Sequence, residues 1–195
     1  MTISIETLAH QVMGRCDRLA SYSEESGCLV RRFATAPMRR VNDEVSAWMR
    51  AAGMLTWQDN LGNLIGRYAM RQAGTLLLGS HLDTVRDAGK YDGPLGVLVA
   101  LACVELLHAR QESLPFALEL CAFADEEGLR YHSAYLGSKV VAGTFDEGLL
   151  TSVDADGISL AEAIRAFGGR PEALGASKRS GADLLGYCEV HIEQG

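Results

Sequence analysis

The sequence has little that would tie it to nucleic acid, to a membrane or to an oxidising compartment. Lys and Arg number 18 against 25 Asp and Glu, a net charge of −7, so the basic face that a duplex nucleic acid requires is missing. The longest apolar run, residues 97–104, is far short of the ~20 residues that span a bilayer. No basic segment followed by an apolar stretch opens the chain, which argues against a signal peptide and for a cytoplasmic protein. Five cysteines (Cys16, Cys28, Cys103, Cys121, Cys188) form no C-x-x-C pair. Their odd number and scatter support neither a disulfide framework nor a cysteine zinc site. Three lie within apolar stretches, where a free thiol behaves as a small buried hydrophobe. There is no G-x-S-x-G elbow, no H-E-x-x-H, no G-x-x-x-x-G-K-[ST] and no G-x-G-x-x-G. Ser80 directly precedes His81, which is not the geometry of a serine nucleophile and its base.

What is present suits one sizeable α/β domain that handles small molecules. Hydrophobic residues make up 48% of the 195, and charged residues 22%. Such a chain is not disordered, and at this length it buries roughly 70% of the surface its unfolded form exposes. Ile5, Leu8, Val12, Cys16 and Leu19 recur at helical spacing behind Ser4, a suitable N-cap. Pro37 suits the first turn of a second helix with Val41, Val45, Trp48 and Met49 as its stripe and Gly53 as its stop. Residues 55–57 and 63–68 read as strands joined by a turn at 60–62. Residues 75–78, 93–109 and 116–123 then read as strand, helix and strand, a βαβ unit within a mixed sheet flanked by helices. Helices are expected over 133–142 and after the capping box Ser159-Leu-Ala-Glu162, and a last strand over 184–192.

In such sheets ligands bind beyond the carboxyl ends of the strands. Four polar clusters fall there: His81 with Asp83, then Asp92-Gly93, then Asp125-Glu126-Glu127-Gly128, and lastly His191 with Glu193 and Gln194. Two histidines and several carboxylates at neighbouring loops are what a divalent metal site requires. His81 and Asp83, two apart on an extended strand end, share a face, so Asp83 can hydrogen-bond the far ring nitrogen of His81. Asp92 could bridge two cations. Glu126 and Glu127 point apart, so one can bind metal while the other serves as general base. Taken alone, His81 reads as a strand-end histidine, Glu126-Glu127 as a solvated turn and Asp92-Gly93 as an ordinary turn; the coincidence of all four clusters at successive strand ends favours a site. His10 and His108 read as helix-surface residues, and Arg31-Arg32 and Arg39-Arg40 as solvated.

The motifs LLLGSHLDTV (76–85), GKYDG (89–93), DEEG (125–128) and HIEQG (191–195) resemble the allantoate amidohydrolase and N-carbamoyl-L-amino-acid hydrolase family, two-metal enzymes of the aminoacylase and carboxypeptidase group. DNLGN (59–63) and LGS (136–138) extend the likeness in order through nearly the whole chain. The resemblance implies an incomplete two-metal, aminopeptidase-like catalytic domain holding two divalent ions, zinc or manganese. It implies His81, Asp92 and His191 as ligands of one metal, and Asp92 with Glu127 as two ligands of the second. Glu126 would be the general base, Asp83 the supporting carboxylate and Gln194 a substrate contact. The substrate would be a small ureido compound, allantoate before an N-carbamoyl amino acid, and the full-length form a homodimer. Family members are longer, so residues 1–195 would be the N-terminal part of the catalytic domain. The lid or dimerisation domain, the arginine for the substrate carboxylate and the last histidine ligand would then lie outside it. Alone, such a piece is expected to turn over little. A metal-binding protein without hydrolysis, or a plain α/β domain with solvated acidic turns, are the competing readings.

Overall fold

The computed structural model describes residues 4–68 and 74–193. Helix α1 (Ile5–Ala20) starts where Ser4 Oγ accepts the Thr7 N–H at 3.1 Å, and it buries Leu8, Val12, Cys16 and Leu19. Helix α2 (Ala36–Ala51) has Pro37 in its first turn, where a missing N–H costs nothing, and buries Met38, Val41, Val45 and Met49. Gly53 follows at φ 78°, the left-handed conformation that ends a helix most cheaply in glycine.

Among the described residues, five strands form one sheet in the order β1-β2-β4-β3-β5: β1 (Leu55–Gln58), β2 (Leu64–Tyr68), β3 (Thr75–His81), β4 (Ala117–Phe123) and β5 (Leu184–Cys188). The pairs β1·β2 and β2·β4 are antiparallel, whereas β3 runs parallel to both β4 and β5. Helix α3 (Pro94–Arg110) carries the chain from β3 to β4. This is the predicted βαβ unit in the predicted mixed sheet. All seven residues of β4 are buried, as a central strand covered on both faces must be.

Alternate side chains serve the two faces. Leu118, Leu120 and Ala122 join α1, α2 and α3 in the larger core, around Val97, Leu98 and Leu101. Cys121 and Phe123 pack on the opposite face with Ile65, Leu77 and Val141 of α4 (Leu136–Ala142). A third cluster joins Leu136 and Val140 to Leu160 and Ile164 of α5 (Leu160–Ala166). Helix α5 opens on the expected capping box: Ser159 Oγ accepts from Glu162 N at 3.2 Å, and Glu162 Oε2 accepts from Ser159 N at 2.9 Å.

Several expectations are corrected. The last strand stops at Cys188, so His191 lies on irregular chain beyond it. Helix α4 starts only at Leu136, because its first N–H groups are turned back onto the end of β4: Leu136 and Gly137 donate to Asp125 and Ala124 at 3.1 and 2.8 Å. Two 3-10 segments, Glu147–Thr151 and Pro171–Ser177, carry no hydrophobic period and were not anticipated. Cys103 and Cys188 are exposed, while Cys16 and Cys121 are buried. Arg31, expected in solvent, is 0% exposed, its guanidinium drawn inward to donate to the backbone carbonyls of Leu19, Tyr22 and Leu82.

The turn between β1 and β2 is built on Asp59. Its Oδ1 accepts the N–H groups of Leu61, Gly62 and Asn63 at 2.9–3.0 Å. Asn63 Oδ1 then accepts from Ala124 N at 2.8 Å, which ties the hairpin to the carboxyl end of β4.

Candidate metal centre

His81 is the last residue of β3 and 1% exposed. Its Nδ1 stands 3.0 Å from the backbone oxygen of Asp83, an atom that can only accept, so Nδ1 carries the proton and Nε2 presents a lone pair. His191 is fixed in the same way by the carbonyl of Ile192 at 3.0 Å. The two Nε2 atoms therefore face each other as acceptors, 3.3 Å apart. Asp92 Oδ1 lies 3.4 Å from His191 Nε2 and 3.9 Å from His81 Nε2. Gly93, at φ 83°, floors this triad: a Cβ there would stand 2.5 Å from the His81 ring.

The acidic loop follows β4. Glu126 Oε2 is 3.8 Å from His81 Nε2, and ligand atoms of His81, Glu126 and Glu127 lie within 4.8 Å of one another. The same holds for His81, Asp92 and His191. His81 is thus common to both triads, and Glu127 shares its triad with His81 and Glu126. Asp83 does not make the expected hydrogen bond to His81; its nearest carboxylate oxygen is 3.8 Å away. The strand has turned by then, and the two oxygens accept instead from Glu126 N and Glu127 N, each at 3.1 Å. Asp83 thereby holds the backbone of both glutamates. Gln194 lies outside the described residues, and His132 is exposed and joins neither triad.

The electrostatics are those of an anion-rich, partly dry pocket. Burial pushes the carboxyl of Asp83 above its usual range, opposed by the neighbouring His81 ring and the two N–H groups it accepts. Burial likewise raises Glu126 and Glu127, again opposed by His81. Asp125, at φ 52°, is raised well above the usual range by burial and by the neighbouring Asp83. Two imidazole lone pairs and converging carboxylates repel one another unless a proton or a cation lies between them. Tetrahedral ligands at ~2.05 Å from a metal are about 3.3 Å apart, the spacing of the two Nε2 atoms. The residues present therefore fit a small divalent cation. Reasoning from sequence overlooked the supports Asn63, Gly137 and Arg31; DNLGN and LGS were the visible traces of the first two.

Fold and site together define a mixed α/β sheet flanked by helices, with a cluster of histidines and carboxylates able to hold a cation at its strand ends. The chain belongs to peptidase family M20/M25/M40, whose model matches residues 77–195. It is 41% identical over 174 residues to the N-carbamoyl-L-amino acid amidohydrolase of Geobacillus stearothermophilus, covering 88% of this chain and 42% of that protein. It is 38% identical to the allantoate deiminase of Arabidopsis thaliana, covering 96% and 37% respectively. A hydantoinase/carbamoylase family amidase from Burkholderia ambifaria superposes with a TM-score of 0.85 at 34% identity, over 95% of this chain and 46% of that one. The chain thus spans less than half the length of these relatives. Among the described residues no helix is long and apolar enough to cross a membrane.

Proposed function

We propose that the chain supplies the metal-holding part of a hydrolase that cleaves a linear ureido or amide C–N bond, with allantoate as substrate. The convergence of His81 Nε2, His191 Nε2 and Asp92 Oδ1 is the observation that carries this reading. These three residues would hold one divalent ion, zinc or manganese, and Asp92 and Glu127 would contribute to a second. A bound ion of this kind polarises a carbonyl and lowers the pKa of a coordinated water. Glu126 is the general base: its carboxyl, raised by burial, takes up a proton more readily than a solvated glutamate and can deliver it to a leaving nitrogen. Asp83 keeps that glutamate in place through its backbone N–H. Gln194 is assigned a substrate contact by the motif it sits in.

A cleft of about 530 Å³ opens beside Glu126, lined by Phe123, Tyr135, Ser138 and Tyr187, and mixes apolar walls with hydroxyls. It suits a polar ureido compound. The groove between α1 and α3, lined by Ile5, Leu8, Val12 and Leu95 among others, is wholly apolar and does not. We place residues 1–195 as the N-terminal part of the catalytic domain of a cytoplasmic homodimer whose lid and C-terminal part lie outside them. The second substrate reading, an N-carbamoyl-L-amino acid, is favoured by the 41% identity to the Geobacillus enzyme.

Two measurements test this. Zn2+ or Mn2+ at ~100-fold excess over Kd should stabilise the chain by about 2.7 kcal/mol, and His81→Ala and Asp92→Ala should abolish the effect. The complete polypeptide should then release ammonia from allantoate, and Glu126→Gln should stop it. Release only from N-carbamoyl amino acids selects the second reading. Cation binding with no hydrolysis of either leaves a metal-binding protein, and no stabilisation by any cation sinks the site itself.

A further inference from the structure

The buried Arg31 is unusual in that its charge serves neither surface nor ligand. Its Nη1 donates to the carbonyls of Leu19 and Tyr22 at the end of α1, at 2.9 and 3.0 Å, and its Nε donates to Leu82 O at 2.8 Å. Its main chain forms an isolated bridge with Thr84: Thr84 N donates to Arg31 O at 3.0 Å, and Arg31 N donates to Thr84 Oγ1 at 2.9 Å. Leu82 and Thr84 are the two neighbours of Asp83, so Arg31 grips Asp83 from both sides. Nη2 is buried with no hydrogen-bond partner among the described residues. A buried guanidinium with one donor unmet costs free energy, and a fold that only needed α1 capped could do so more cheaply.

We propose that Arg31 is a positioning residue for the cluster, acting through Asp83 on the backbone of Glu126 and Glu127. The chain of contacts is continuous: guanidinium to Leu82, bridge to Thr84, the Asp83 carboxylate between them, then its two oxygens to the Glu126 and Glu127 N–H groups. The guanidinium and the buried Asp83 carboxylate also attract each other across the gap. Removing Arg31 should release Asp83 and, with it, an acidic loop more than forty residues further along the chain. The inference rests on the proposed metal site only for its consequence; the clamp is a property of the metal-free chain.

The test is amide hydrogen exchange of the metal-free 195-residue chain, comparing wild type with Arg31→Met, Arg31→Lys and Thr84→Val. The Glu126 and Glu127 amides should exchange at least tenfold faster in Arg31→Met, while the β4 amides of Leu118 and Leu120 keep their protection. Arg31→Lys, which retains charge but not the fork, should fall between. Uniform loss across β4, or unchanged exchange at 126 and 127 with the 31–84 bridge broken, overturns the proposal. Should Arg31→Met not fold, Arg31→Lys and Thr84→Val decide by the same criterion. Zn2+ titration in parallel separates the two ideas. A wild-type chain that binds no Zn2+ refutes the metal reading and leaves the exchange result standing. Where Zn2+ binds, its affinity should fall about 10- to 100-fold in the folded variants, as for other lost outer-sphere supports.

Discussion

His81 and His191 face the same point in space and reach it from very different ground. His81 ends a strand flanked on both sides, is 1% exposed, and has Gly93 beneath its ring. His191 sits past the edge strand β5 on irregular chain, is exposed, and is oriented by the carbonyl of its own neighbour. Both rings present the same nitrogen by the same device, an Nδ1–H donated to a carbonyl. The difference lies in how much packing enforces it. A ligand held by a core is set before any ion arrives; a ligand on an edge is set partly by the ion. The first half of the cluster is therefore preorganised, and the second half has to be recruited.

Four substitutions would break or sharpen that contrast. The largest effect belongs to His81→Ala, which removes the atom common to both triads; Zn2+ affinity should drop by more than about 100-fold, beyond the 10- to 100-fold of a lost outer partner. Competition with a chromophoric chelator measures it, and a drop below tenfold would mean that His81 is not central. Gly93→Ala comes next. Its φ of 83° is strained for any side chain, and its Cβ would enter the His81 ring. It should lower stability by about 1–3 kcal/mol in urea denaturation and weaken Zn2+ binding together with it.

His191→Ala is smaller. Stability of the metal-free chain should stay within about 0.5 kcal/mol, since His191 lies on irregular chain past the edge strand and outside the hydrophobic clusters. Zn2+ affinity should fall, but less than for His81→Ala, and equal losses from the two would erase the contrast drawn above. The smallest effect is on pH dependence. Burial raises the Glu127 carboxyl above its unfolded value, so the fold binds that proton more tightly than the unfolded chain does. The resulting stability is present below the unfolded pKa and is lost as pH rises through the folded one. Glu127→Gln should therefore reduce the fall in metal-free stability between pH 4 and pH 7, as read from urea midpoints. A steeper fall would show the sign to be wrong.

Much of this was legible in the sequence because local rules and global fold agree at those places. The Ser4 and Ser159 caps, the stripe of α1 and the βαβ pattern around α3 follow from period and capping alone. The polar clusters were legible because strand ends in such sheets are where ligands bind, and the structure gathers them there. What escaped depends on tertiary geometry. Arg31 resembles any surface arginine until one sees the carbonyls at the end of α1 that it serves. Asp83 has the right spacing to meet His81, yet the turn after β3 sends its carboxylate to the acidic loop instead. Cys103 and Cys188 lie in apolar stretches, but they face outward from α3 and the edge strand. Periodicity assigns a face only where that face is covered.

The βαβ unit also sets an order of arrival. His81, Asp92, Glu126 and Glu127 are all synthesised before the second imidazole, which comes 110 residues after the first. At about 5–20 residues per second, the ribosome needs roughly 5–20 s to deliver His191 once His81 has been made. During that interval the cluster has one imidazole, that of His81, and a surplus of negative charge, a grouping with little to distinguish one divalent ion from another. On the proposed assignment, selectivity for a nitrogen-loving metal would enter only once His191 is in place, so the choice of ion would be made late in the birth of the protein.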